Sequence, residues 1–189
     1  MTTAECVYEQ TVDGFGTVRI VRVDPDRDAE LLHGWVSEDR ARFWGMRETT
    51  VDDVREIYAH LDSLTTHHGY LVHRDGEPVA LFQTYEPGAD RVSECYEARP
   101  GDIGVHLLIA PADTPRRGFS SHLLGVLTRF ALSGGRDRIV AEPDAANDKA
   151  IALLVRNGFE PGPEVVLPEV VLPEVHIAEK RARLLFFTR

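Results

Sequence analysis

Ile103-Gly104-Val105-His106-Leu107-Leu108-Ile109 is an almost unbroken apolar run, polar only at His106, and a strand of that composition sits centrally in a sheet with both faces covered. Gly118 to Leu132 follows at helical spacing, Gly134-Gly135 stops it, and Arg138-Ile139-Val140-Ala141-Glu142 reads as the next strand. A strand, a helix and a second strand in that order make the two strands parallel neighbours, with their carboxyl ends on one edge of the sheet. In open α/β sheets that edge is where ligands bind. A further helix is expected over Asn147–Asn157, closed by Gly158 ahead of Phe159.

Towards the N-terminus, Gly16 to Val23 reads as an opening strand, and Asp24-Pro25 supplies an N-cap and a first-turn proline for a helix through Leu31, Leu32 and Trp35. Ser37 is expected to cap a second, short helix that ends near Trp44-Gly45-Met46. Thr50-Val51-Asp52-Asp53 resembles a capping box for a third, which buries Val51, Val54, Ile57, Tyr58, Leu61 and Leu64. Tyr70–Arg74 and Pro78–Tyr85 flank Asp75-Gly76, a tight-hairpin signal, and Glu86–Asp102 is an irregular acidic loop. In the tail, Pro163-Glu164-Val165-Val166-Leu167 repeats as Pro168-Glu169-Val170-Val171-Leu172. A five-residue period reverses the faces of a strand, and proline cannot donate to a ladder, so a looped connection with one strand piece is expected before a last strand over Leu184–Phe187.

The chain of 189 residues fits a single domain over 1–189. Its formal charge of −10 repels phosphate backbones, which argues against nucleic acid as a partner and is compatible with a cationic small molecule. No apolar run approaches the roughly 20 residues of a membrane-spanning helix, so no membrane partner is expected. The opening MTTAECVYEQ has neither the basic start nor the apolar stretch of a secretory signal, which predicts a cytoplasmic protein with Cys6 and Cys95 as free thiols. Adjacent His67 and His68 point apart in a strand and no third ligand has a recognisable spacing, so no metal is expected.

Just beyond the central strand, Pro115-Arg116-Arg117-Gly118-Phe119-Ser120-Ser121 opens a helix. Small residues there let a pyrophosphate approach the backbone, helix-terminal N–H groups attract it, and Arg116 and Arg117 add charge-assisted contacts. This turn resembles the Q/R-x-x-G-x-G/A signature of the GNAT superfamily of acyl-CoA N-acyltransferases, with Pro115 and Ser120 departing from it. The second half of that signature, an asparagine opening a helix that closes in Gly-Phe, corresponds to Asn147 through Gly158-Phe159. The resemblance implies an α/β GNAT fold. Its mixed central sheet would have about six to seven strands, helices on both faces and a splay between two parallel central strands.

As cofactor contacts the resemblance implies Leu107, Leu108 and Ile109, the turn Arg116, Arg117, Gly118, Phe119, Ser120 and Ser121, and Asn147, Lys149 and Ala150 around an acyl-CoA, acetyl or succinyl. Many members carry a tyrosine four residues before the final glycine, where this chain has Leu154. That departure directs attention to His106 and Asp144 as the catalytic pair. Trp44-Gly45-Met46, Phe82-Gln83-Thr84-Tyr85-Glu86, Gly104-Val105-His106, Glu142-Pro143-Asp144 and Glu179-Lys180-Arg181-Ala182 are similar to the subgroup that acylates N-hydroxylated amines in hydroxamate siderophore biosynthesis. They are similar in particular to the desferrioxamine-pathway enzymes acting on N-hydroxycadaverine, so a small-molecule amine or hydroxylamine is the implied acceptor. In a direct transfer His106 would serve as a mild base, an imidazole exchanging protons near neutral pH, while Asp144 would orient the ring or hold the N–OH. Trp44, Gln83 and Tyr85 would wall the acceptor, and Glu86 and Asp102 would meet its distant cation. An aminoglycoside or other amine N-acetyltransferase and a non-catalytic acyl-CoA-binding regulator stay open as alternatives. A covalent route through Cys95 is disfavoured, because the surrounding glutamates suppress a thiolate.

Overall fold

In the computed structural model the described residues are 6–112, 114, 116–172 and 175–189. Ten strands and four α-helices form: β1 Cys6–Val12, β2 Gly16–Arg22, α1 Pro25–Val36, α2 Val51–Ser63, β3 His67–Arg74, β4 Glu77–Tyr85, β5 Asp102–Ile109, α3 Phe119–Ala131, β6 Arg138–Ala141, α4 Asp148–Arg156, β7 Glu160–Leu167, β8 Val170–Leu172, β9 Val175–Ile177 and β10 Lys180–Thr188. Eight strands make one mixed sheet in the order β1-β2-β3-β4-β5-β6-β10-β7, one more than expected, and β8 and β9 make a separate pair. Two compact groupings are distinguished: residues up to Thr84 with Leu107–Val126, and Tyr85–His106 with Leu127–Arg189.

In the first unit three local signals act as anticipated, whereas Ile57, expected on the buried face of α2, is exposed. The Asp24 carboxylate accepts from the N–H groups of Asp26 and Arg27 at the start of α1, and Thr50 and Asp53 form the reciprocal capping box of α2. Asp75 and Gly76, at φ of 50° and 90°, turn β3 into β4, the left-handed pair a two-residue hairpin needs. The apolar faces of α1 and α2 bury Leu32, Trp35, Val36, Val54 and Tyr58 with Val21, Leu71, Leu81 and Leu108. Each fully buried side chain of this kind contributes about 1.5–3 kcal/mol.

In the second unit β10 lies between β6 and β7, antiparallel to both. Its core gathers Tyr85, Val92, Val140, Leu167, Ala182 and Leu184.

Three expectations are corrected. Ser37 does not cap a second helix; its hydroxyl donates to the His33 carbonyl and ends α1. The segment Asp39–Trp44 is a 3₁₀ helix preceded by Glu38. The strand β1 was not anticipated, because none of its residues is buried and it lies at one edge of the sheet. The tail holds three strands instead of one strand piece: the first repeat copy lies in β7, and the second forms β8, which pairs with β9. β7 is the opposite edge of the sheet, where Pro161 and Pro163 are tolerated. The two copies are therefore inequivalent, as the five-residue period requires.

Candidate active site

The parallel strands β5 and β6 pair only through Asp102↔Arg138, Ile103↔Ile139 and Gly104↔Val140. Beyond that point the pairing with β10, already present along Arg138–Ala141, continues. The Pro143 carbonyl accepts from the Arg183 N–H at 3.0 Å, the Ala145 N–H donates to the Arg181 carbonyl at 3.0 Å, and Asp144 bridges Ala182. The segment Glu142-Pro143-Asp144 thus follows β10 while β5 runs on to Ile109, and the expected splay begins here.

His106 and Glu142 each lie two residues past the last paired position, and they face each other, with His106 Nε2 2.5 Å from Glu142 Oε1. The second oxygen, Oε2, accepts from the Tyr85 hydroxyl at 3.1 Å. Glu142 is 4% exposed and Tyr85 1%, whereas the His106 side chain is 34% exposed. The network thus runs from the interior to an accessible imidazole. Burial pushes the Glu142 carboxyl up, but the charge and hydrogen bond of His106, with Lys180 and the Tyr85 hydroxyl, outweigh it and hold the group at about 2. Burial, followed by the Glu142 charge, raises the Tyr85 phenol well above its ordinary value, so its hydroxyl keeps its proton. The Tyr85 and His106 rings are tilted, with centroids 5.0 Å apart.

Asp144 is half-buried. Its Oδ1 accepts from the Ala146 N–H at 2.8 Å, and its carbonyl accepts from the Asn147 N–H at 2.8 Å. That turn delivers Asn147 as the N-cap of α4, where its side chain accepts from the Ala150 N–H. Ala150 is half-buried and Lys149 exposed.

The two acids expected near a substrate cation have internal partners. Asp102 is 3% exposed and receives both Nε and Nη2 of Arg138 at 2.7 Å, the Tyr96 hydroxyl at 3.0 Å and the Arg99 N–H at 2.9 Å. Burial raises its carboxyl and these donors, Arg138 foremost, lower it by more. Glu86 is paired with Arg136, which also donates to the Asp102 carbonyl. Cys95 donates to the Val166 carbonyl, and burial followed by the Glu94 charge raises its thiol. The thiolate a covalent route needs is therefore suppressed.

In the first unit, Gln83 Nε2 donates to the Tyr58 hydroxyl at 3.0 Å, and the Trp44 side chain also bonds that hydroxyl. Tyr58 joins two of the expected acceptor residues, although the sequence reading placed it only on a buried helix face. The third, Tyr85, lies in the second unit against Glu142.

Leu108 packs in the core of the first unit, Leu107 and Ile109 are half-buried, and the Ile109 carbonyl accepts from Arg40 at 2.6 Å. Arg116, Arg117 and Gly118 are exposed ahead of α3, with Phe119, Ser120 and Ser121 half-buried in its first turn. Pro115, the first motif position, lies outside the described residues. Two exposed guanidinium groups beside the N–H groups of a helix start fit an anionic pyrophosphate. Among the described residues no group of three or more His, Cys, Asp or Glu could hold a metal ion, and no helix is long and apolar enough to cross a membrane.

Residues 24–167 match the acetyltransferase (GNAT) domain family. A lysine N-acyltransferase, MbtK, of Mycobacterium sp. (strain MCS) is 28% identical over 130 residues, which are 67% of this chain and 53% of that protein. An N-hydroxyputrescine acetyltransferase of Acinetobacter baumannii is 30% identical over 78 residues, 41% of this chain and 37% of that protein. The matched stretches thus span about half or less of these curated relatives. Among solved structures, the aminoglycoside acetyltransferase AAC(6')-Ib in complex with ribostamycin and coenzyme A has a TM-score of 0.74 at 24% identity, with 91% of this chain and 93% of that chain covered. The two share the fold.

Proposed function

The chain belongs to the GNAT acetyltransferase family, and within it we propose that it acylates the nitrogen of an N-hydroxylated diamine of the N-hydroxycadaverine type, giving a hydroxamate in siderophore biosynthesis. The observation that carries this reading is the accessible His106 imidazole, held against buried Glu142 where β5 and β6 part. Two curated relatives support the acceptor class by name, one a lysine N-acyltransferase and one an N-hydroxyputrescine acetyltransferase.

Acyl-CoA, acetyl or succinyl, supplies the acyl group as an activated thioester. Arg116 and Arg117, with the N–H groups at the start of α3, hold its pyrophosphate, and Leu107 to Ile109 supply further contacts. The nitrogen of an alkylhydroxylamine is far less basic than that of an alkylamine, so it is largely neutral near pH 7. It needs orientation and a mild proton acceptor, and His106 is that acceptor. Asp144 holds the N–OH group. Asp102 and Glu86 are left out of this assignment, because Arg138 and Arg136 already match their charges.

The test is mass-spectrometric identification of products from N-hydroxycadaverine, cadaverine and kanamycin, each with acetyl-CoA and succinyl-CoA in competition. Acylation of N-hydroxycadaverine in preference to cadaverine supports the proposal, and turnover of the parent amine alone overturns it. The net charge of −10 favours a second reading, an N-acetyltransferase for polycationic aminoglycosides. Acetylated kanamycin as the dominant product would establish it.

A further inference from the structure

We propose that His122 is a positioning residue for acyl-CoA: stacked on Phe15, its ring ties down the Gly118 carbonyl, so that the turn at the start of α3 is already shaped when the pyrophosphate arrives. This rests on the reading of that turn, with Arg116 and Arg117, as the pyrophosphate site. All the residues concerned lie in the first unit. Gly118 has a φ of 78° immediately ahead of α3. A residue of positive φ followed by a helical one turns successive N–H groups towards one side, a concavity suited to an anion. His122 lies one helical turn further on. Its backbone N–H donates to the Gly118 carbonyl at 3.0 Å, as the helix requires, and its ring Nδ1 lies 2.8 Å from the same oxygen. A carbonyl only accepts, so Nδ1 carries a proton and donates it. On the other side of that peptide the Phe119 N–H donates to the Arg116 carbonyl at 3.1 Å. The peptide plane that opens the helix is thus held at both ends.

His122 is an exposed residue, and an exposed side chain must give up rotamer freedom to hold one hydrogen bond. Here the sheet supplies the restraint. The imidazole stacks on Phe15, with centroids 5.2 Å apart and planes 16° apart. Phe15 is buried in the turn between β1 and β2, and its ring also meets Phe119 at 5.3 Å. Arg74, at the end of β3, fixes Phe15 in turn: its Nε donates to the Phe15 carbonyl at 2.5 Å, and its guanidinium lies 4.9 Å from the ring centroid. A β-carbon on Gly118 would lie 3.4 Å from His122 Nδ1 and Cε1, so the ring packs directly against that residue. The contacts run unbroken from β3 through Phe15 and His122 to the turn. A turn held in its binding shape loses less conformational freedom when the ligand docks, and the saving appears as affinity.

Calorimetric titration of the full chain with CoA, dephospho-CoA and pantetheine tests this without any acceptor or turnover. His122→Ala should weaken CoA and dephospho-CoA alike, by roughly 3–10-fold, and leave pantetheine, which has no pyrophosphate, unchanged. His122→Asn, whose side-chain amide stands at the same distance from the backbone as Nδ1, should recover most of the loss. In the ligand-free protein, hydrogen exchange at the Phe119 and His122 amides should quicken in His122→Ala and return towards the wild-type rate in His122→Asn. A His122→Ala protein that binds CoA as tightly as the wild type overturns the inference, and so does an equal loss for pantetheine, which would put the effect outside the turn. Wild-type protein that binds neither CoA nor dephospho-CoA would instead remove the pyrophosphate reading on which the inference rests.

Discussion

The ring of Tyr85 fills the space that a side chain on Gly104 would need, with Cζ 2.1 Å from the position of the missing β-carbon. Both residues are buried, and Tyr85 is among the largest fully buried side chains of the protein. Gly104→Ala must therefore displace the ring or the strand, at a cost of about 1–3 kcal/mol for overpacking. Denaturant unfolding should show that loss, and kcat should fall with it, because the Tyr85 hydroxyl leaves Glu142. A variant as stable and active as the wild type would mean that the ring lies elsewhere.

Acid should unfold the protein partly through Glu142 and Asp102. Both carboxyls are held below their unfolded values of 4.5 and 3.8, so their stabilisation is fully present above those values. It is lost as pH falls through the folded ones, for Glu142 between about 4.5 and about 2. The Glu142 share is at most on the order of 3 kcal/mol. Glu142→Gln should flatten the fall in stability across that window, and a stability profile parallel to the wild type would show that this carboxyl is not depressed.

Removing Arg138 should be costly. Its guanidinium stands against an Asp102 carboxylate that is almost wholly buried, and Arg138→Met would leave that charge unpaired, with a loss of about 3–5 kcal/mol. Adding Asp102→Asn should recover part of it. A double variant whose loss equals the sum of the losses of Arg138→Met and Asp102→Asn would show that the pair is not coupled.

Cys95→Ala should keep wild-type kcat and KM, since its thiol is raised by burial and by Glu94 and donates to a backbone carbonyl. Alkylation of Cys95 near neutral pH should be slow. Loss of turnover together with rapid alkylation would restore a covalent route.

Local chemistry made much of the fold legible. The Asp24 cap, the Thr50–Asp53 box and the Asp75-Gly76 turn each act within a few residues of chain, and the parallel pair β5–β6 follows from the helix between them. What escaped depends on distant neighbours. The edge strand β1 buries nothing, so it has no core signal, and the prolines of β7 are acceptable only because no strand lies beyond it.

At the site, the sequence offered His106 but not its partner, since two strands known to be parallel do not disclose their register. The offset Gly104↔Val140 brings His106 level with Glu142. An acid closing an apolar strand was the available signal, because a buried carboxylate demands a partner. The same blindness to distance left Asp102 and Glu86 looking like acids open to a ligand, when arginines much farther along the chain match them.

At Glu142-Pro143-Asp144 the chain keeps its pairing with β10 where its ladder with β5 has already ended. The Pro143 carbonyl and the Ala145 N–H are satisfied on the β10 flank, so the parting of β5 from β6 leaves that pairing whole.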